Sequence, residues 1–201
     1  MALLVPTAPL LSASLASRGD DSATAQTIRE LHVKADWAGL SKFARERIAR
    51  NPEDGDWWVV LGYATMQLKD FSGAVQVLST AAERSPEDID ALNLLAEAQR
   101  LSGQLARATR TLDRAVTVSP GSPVSRFLLG EVYRDDGRLE RAREAYFQAV
   151  EIEPEFILAW HGLVKVLARV GTGEDYELAL GRLRKLDPVL AQEFPANKAA
   201  K

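Results

Sequence analysis

The sequence predicts an all-α solenoid of repeated helix–turn–helix units, and three observations carry that prediction. Prolines stand at 52, 86, 120, 154 and 188, each 34 residues after the last. With each unit numbered so that its proline is position 32, position 7 holds Leu61, Leu95, Leu129 and Leu163, and position 20 holds Ala74, Ala108 and Ala142. Position 27 is Ala81, Ala115 and Ala149, position 24 is the large Leu78, Leu112 and Tyr146, and position 8 is the small Gly62, Ala96 and Gly130. The mainly apolar or small positions 4, 7, 8 and 11, and again 20, 24, 27 and 28, follow a helical period, so each unit is two amphipathic helices.

The pairing of large with small residues has a steric reason. Antiparallel helices joined by a short turn approach closely only where bulk on one meets Gly or Ala on the other. Gly103, Gly137 and Gly171, again 34 apart, fall where the first helix must stop and suit a left-handed cap. The proline after each second helix cannot continue the ladder, so the chain turns into the next unit. In Ser122-Pro123 that next helix shows a capping Ser followed by Pro in its first turn.

In chain order, residues 1–23 form an apolar tail or leader. Residues 24–188 form about five units (24–52, 55–86, 89–120, 123–154 and 157–188), and residues 189–201 a C-terminal tail. Residues Ala2 to Ala16 carry no charge and end loosely like a small-x-small cleavage site, but a basic start is missing and Pro6 and Pro9 break the run. Two readings stay open there: a cleaved leader, which implies a periplasmic or secreted protein, or a tail packed on this protein or a partner, which suits a cytoplasmic one. The run is too short and broken to span a bilayer. The first unit is degenerate, with Thr27 for Leu and Arg47 for the second Ala, yet Trp37, Leu40, Ala44 and Ile48 keep an apolar stripe. In the fifth, the strict frame puts Tyr176 and Leu183 where Ala is wanted. The expectation is therefore a turn, GTGED, longer by about three residues, with Ala179 at position 20, Leu183 at 24 and Leu186 at 27. The closing VLAQEFPANKAAK is too short for a full polar capping helix, so one end is expected to expose apolar surface.

These residues resemble the tetratricopeptide repeat, whose pattern runs Trp, Leu-Gly, Tyr, Ala, Phe, Ala, Pro. Trp58, Leu61, Gly62, Ala74, Leu78, Ala81 and Pro86 match it in the second unit, and Leu129, Gly130, Tyr133, Ala142, Tyr146, Ala149 and Pro154 in the fourth. The resemblance implies a right-handed superhelical solenoid that binds partners, with first helices lining a concave groove and positions 2, 5, 9, 12 and 13 facing it. In this sequence those positions include Tyr63, Met66, Asn93, Glu97, Arg100, Phe127, Glu131, Arg134, His161, Lys165 and Arg169. Such a surface suits a peptide segment or helix of a partner protein with apolar anchors and acidic residues. Glu97 with Arg100, and Glu131 with Arg134, also read as solvated pairs three residues apart. The family's clamp for a C-terminal carboxylate is not matched, since Ala25 holds its first position and Asn93 stands one place off. The alternative to a groove-binding adaptor is an accessory subunit of a multi-subunit complex, such as one in a bacterial envelope, held through the tail and the uncapped end.

Composition and spacing argue against catalysis and cofactors. The 25 Lys+Arg against 28 Asp+Glu give a net charge of -3, which offers no field for nucleic acid. No Cys is present, which removes disulfides, thiolate metal sites and a thiol nucleophile. His32 and His161 lie in different units, too far apart in sequence for a local metal site. No G-x-S-x-G elbow occurs, and GTGEDYE lacks the Lys of a phosphate loop. The pair Asp135 and Asp136 ends a first helix, where turn chemistry accounts for it. Arg107, Arg110 and Arg114 form a basic stripe on a second helix, read as a solvated face or a docking surface for an acidic partner. In EPEFILAWHGLVKVL, the frame assigns Trp160 to the core and His161 to the groove, so His161→Ala is expected to leave folding intact.

Overall fold

The computed structural model describes residues 22–170 and 173–194. Residues 1–21 of the apolar tail and the capping position Gly171 fall outside them. Ten α-helices are found among the described residues: α1 Ser22–Val33, α2 Trp37–Arg50, α3 Gly55–Gln67, α4 Phe71–Arg84, α5 Ile89–Leu101, α6 Leu105–Val118, α7 Pro123–Asp135, α8 Leu139–Ile152, α9 Ile157–Val170 and α10 Gly173–Leu186. A short 3-10 helix, Leu190–Glu193, follows. The chain divides into two compact units, residues 1–104 and 105–201. In the first, α2 packs on α1 and α3, α4 on α3 and α5, and the first helices α3 and α5 also touch. In the second, α6 packs on α7, α8 on α7 and α9, and α10 on α9, with α7 against α9.

Local chemistry sets the helix boundaries. Asp54, Asp88 and Ser122 stand just before first helices and accept hydrogen bonds from backbone N–H groups of the first turn, at 2.9–3.2 Å. Asp36 and Asp70 do the same for the second helices α2 and α4, through the N–H of Gly39 and of Gly73. At position 4 a side-chain donor ties the new helix to the carbonyl of the preceding proline. Trp58 reaches Pro52 and Trp160 reaches Pro154, each at 2.9 Å, and Arg126 reaches Pro120 at 3.3 Å.

The first helices end in one repeated device. In four turns the N–H of position 15 bonds the carbonyl of position 12, and that of position 16 bonds position 11. The pairs are Ala35 to His32 and Asp36 to Leu31, Lys69 to Met66 and Asp70 to Thr65, Gly103 to Arg100 and Gln104 to Gln99, and Gly137 to Arg134 and Arg138 to Tyr133. This is the Schellman arrangement, which needs a left-handed residue at position 15. Gly103 and Gly137 supply it without strain at φ of 79° and 75°, whereas Ala35 and Lys69 adopt φ of 50° and 64° with a Cβ.

Close helix approach rests on the pairing of position 24 with position 8. A Cβ at Gly62 would run into Leu78, and one at Gly130 would lie 2.5 Å from Cε1 of Tyr146. A Cβ at Gly162 on α9 would meet the same Cε1, at 2.6 Å. Leu78 and Tyr146 are fully buried, so neither has room to retreat. At position 27 of the degenerate first unit, Arg47 bonds the hydroxyl of Thr24 and lies over the rings of Phe43 and Trp57 at 5.2 and 5.4 Å. The cation–π contacts and the hydrogen bond replace the small residue used elsewhere.

The fifth unit corrects one expectation. α10 begins and ends at the same frame positions as the other second helices, so the turn before it is not lengthened. Tyr176 takes position 20, Leu180 position 24 and Leu183 position 27, all buried along with Ala179. Val164 stands where Gly62 and Gly130 stand in their units, and α9 and α10 pack less closely than α7 and α8. The large residues Tyr176 and Leu183 are thus buried in the unshifted frame.

The left-handed caps and the glycine contacts each set expectations for stability. Lys69→Gly is expected to raise stability by about 0.5–1 kcal/mol by releasing the left-handed strain, while Gly137→Ala lowers it by about 1 kcal/mol; urea denaturation reads both. Gly130→Ala is expected to cost about 1–3 kcal/mol although Ala is the better helix former, because the Tyr146 ring cannot yield. Adding Tyr146→Leu to Gly130→Ala should recover part of that loss in thermal melts.

Candidate functional site

In the first unit, the faces of α1 and α3 meet in an aromatic cluster. The Nε2 of His32 lies 3.1 Å from the Tyr63 hydroxyl, the two rings stack at 6.0 Å, and Trp37 meets both edge-on at 5.3 and 5.8 Å. Tyr63 is only 1% exposed, and burial pushes its phenol up to about 12. Met66, Asn93 and Glu97 are buried too. On α5 the guanidinium of Arg100 grips Glu97 through two bonds of 2.8 Å, Nε to Oε2 and Nη2 to Oε1. This pair is therefore a desolvated fork rather than a solvated one, and Arg100 alone of these five keeps partial exposure.

The second unit repeats the pattern with one polar relay. Phe127 is 3% exposed, with ring centroids 5.9 Å from Tyr146 and 5.3 Å from Phe156. The Tyr146 hydroxyl donates to Glu131, and Glu131 pairs with Arg134. Burial, with the negative charge of Glu131 beside it, pushes the Tyr146 phenol far above its ordinary value. Arg134 also donates to Asp135 at 3.0 Å, and Asp136 pairs with Arg138 at 2.6 Å. The carboxylate pair of the turn is thus absorbed by two arginines.

His161 is 9% exposed, and its Nε2 lies 3.0 Å from Oε2 of Glu193. Burial holds its pKa below the ordinary imidazole value against the pull of the Glu193 hydrogen bond. A carboxylate only accepts, so the neutral ring carries its proton on Nε2 and donates it. Phe194 closes on the same imidazole edge-on at 5.4 Å. Lys165 is half-buried and Arg169 exposed one turn further on, and neither makes an ion pair among the described residues.

Of the residues read as groove contacts, Tyr63, Met66, Asn93, Glu97, Phe127 and His161 are thus interior, and the exposed or half-exposed set is Arg100, Glu131, Arg134, Lys165 and Arg169. The reason is geometric. Within each unit adjacent first helices pack side by side, so positions 5 and 9 meet the neighbouring first helix before they meet water. The pattern of single residues did not reveal Glu193 and Phe194 as contacts of His161; the signal available was the 34-residue frame running on through Pro188. Arg107, Arg110 and Arg114 are exposed along α6. Among the described residues no group of three or more His, Asp or Glu stands close enough to hold a metal ion, and no helix is long and apolar enough to cross a membrane.

The tetratricopeptide repeat profile matches residues 65–121 and 99–167, together just over half of the chain. The chain belongs to the tetratricopeptide repeat family. Its fold is an all-α helical-repeat solenoid, shared with solved structures of low identity. MamA is 20% identical with a TM-score of 0.70 over 82% of this chain and 96% of that one. TTC0263, a thermophilic TPR protein of Thermus thermophilus, is 19% identical with a TM-score of 0.66 over 80% and 88%. YrrB, a TPR protein with an unusual peptide-binding site, is 18% identical with a TM-score of 0.63 over 81% and 85%. No curated protein matches the sequence. Tetratricopeptide repeats are typically non-catalytic modules for protein interaction, and a scaffold role of that general kind follows for this chain.

The buried phenol of Tyr63 gives a test by pH. Its folded value lies above the free value of 10.0, so its contribution to stability is complete below pH 10 and is lost as pH rises through about 12. The urea midpoint is expected to fall less steeply between about pH 9 and about pH 11.5 in Tyr63→Phe than in the wild type. His161→Ala, which strips a buried hydrogen bond, is expected to lower stability by about 1–2 kcal/mol while leaving the helical spectrum intact.

Proposed function

We propose that this tetratricopeptide repeat protein is an adaptor that binds a segment of a partner protein along the groove side of its first helices, within five repeats bounded at 24–52, 55–86, 89–120, 123–154 and 157–188. The observation that carries the reading is the group of cations that α7 and α9 bring together in the second compact unit, Arg134, Lys165 and Arg169. Arg134 is held by Glu131 and Asp135, and Lys165 and Arg169 stand without an ion pair among the described residues. Arg134, held in this way, loses little side-chain freedom on binding, and Lys165 and Arg169 offer charge that favours a segment with acidic residues. YrrB, a TPR protein with an unusual peptide-binding site, supports the same reading by analogy of fold. The buried aromatic residues Tyr63 and Phe127 support the groove from beneath rather than touch the partner.

A second reading rests on different surface. Phe147, Trp160, Leu163, Leu167 and Leu178, on α8, α9 and α10, line an apolar cavity of about 270 Å³, and Leu178 is 66% exposed. An accessory subunit held in a larger complex through such surface and the N-terminal tail would not use the groove cations.

Capture of partners from the native source separates the two. Under the adaptor reading, Lys165→Glu with Arg169→Glu lowers partner recovery by about tenfold or more with an unchanged melting curve, and deletion of residues 1–20 has little effect. The accessory-subunit reading requires the reverse. Undiminished recovery with both changes would dispose of both.

A further inference from the structure

After α10 the chain turns back onto α9. The Asp187 carboxylate accepts from the N–H of Val189 at 3.0 Å and of Leu190 at 2.9 Å, starting the 3-10 helix at Leu190 and burying Ala191. In the repeat frame this segment sits where the first helix of another unit would begin, and Glu193 takes position 3. The residues at that position in the second to fifth units, Trp57, Ala91, Ser125 and Ala159, are all buried. Glu193 instead keeps its side chain 46% exposed and spends its carboxylate on His161. The segment opens as the first helix of a further repeat would, but it sets a carboxylate and an aromatic ring against the groove-side residue of α9.

The chemistry of that contact is specific. A carboxylate receives the Nε2 proton of His161 at 3.0 Å, and the next residue in sequence sets an aromatic ring edge-on to the same imidazole at 5.4 Å. The positive charge of Lys165 acts on Glu193 as well, and Arg169 extends the basic character one turn along α9. We propose that the face of α9 bearing His161, Lys165 and Arg169 recognises an extended protein segment presenting a carboxylate immediately followed by an aromatic ring, and that residues 190–194 occupy this face in cis until such a segment displaces them. The inference rests on the groove-binding reading above and names the partner's chemistry. Tethering by a few residues gives the cis segment a local concentration of about millimolar, so a partner with a few added acidic contacts to Lys165 and Arg169 outcompetes it.

The sequence contains two histidines, His32 and His161, so their ring NMR signals report separately on the two units. The probe is a synthetic peptide copying residues 187–195, added to the full chain and to the variant Glu193→Ala/Phe194→Ala. The His161 signals are expected to shift saturably in both, with a midpoint about tenfold lower in the variant, whose site is vacated, while His32 stays unmoved. A control peptide with Ala in place of the Glu and Phe should produce no shift. Equal midpoints in the two chains, a response to the control peptide, or no shift of His161 in the variant would each overturn the proposal. If the double variant loses helix by circular dichroism, the single variants Glu193→Ala and Phe194→Ala carry the same comparison, each removing one of the two contacts. Partner recovery that depends on Lys165 and Arg169 without any peptide response would remove the cis-ligand inference and leave the groove reading standing.

Discussion

The ring of Tyr146 enters the space left by the absent side chains of Gly130 and Gly162, and the second unit is organised around that contact. It fixes how closely α8 can approach α7 and α9, because a fully buried ring between two helix backbones leaves no slack. Its hydroxyl then carries the position of the core outward to Glu131, and through Glu131 to Arg134. In the first unit Leu78 makes the equivalent apolar contact with Gly62 but has no hydroxyl. Nearby Thr65 returns its own hydroxyl to the Leu61 carbonyl at 2.7 Å. The two units thus share a packing rule, and only the second couples it to a surface charge.

That coupling changes how substitutions on these helices should be interpreted. Residues at positions 5 and 9 are mostly structural, so losing one can weaken binding simply by loosening the unit. Arg100 and Arg134 stand between the two roles, since each is held by a neighbouring carboxylate while part of its surface remains open. Lys165 and Arg169 are the candidate positions whose replacement disturbs packing least.

The repeat was legible in the sequence because it rests on volume and backbone geometry, which recur with residue identity. Leu78 against Gly62, Tyr146 against Gly130, and left-handed Gly103 and Gly137 all follow from the frame. The same rule applied too rigidly shifted the register of the fifth unit's second helix: Tyr176 and Leu183 suggested an insertion, whereas both are buried in the strict frame. Burial of Tyr63, Phe127 and His161 was not legible either, since a face assigned by helical phase says nothing of how near the next first helix lies. The fold class and helix phases are encoded locally; the division of the candidate site into interior and exposed residues is settled only by packing between repeats.

Glu193 has one more consequence. A stack of identical modules has no intrinsic length, because the last module presents the same apolar end to which another could be added. Here the position that the second to fifth modules bury is held by a charged group with its carboxylate turned to His161. To add a module at that point, whether from the same chain or from a second copy, would require dehydrating the carboxylate. That one charged side chain sets this position apart from its four counterparts, and burying it carries a cost in hydration that theirs does not.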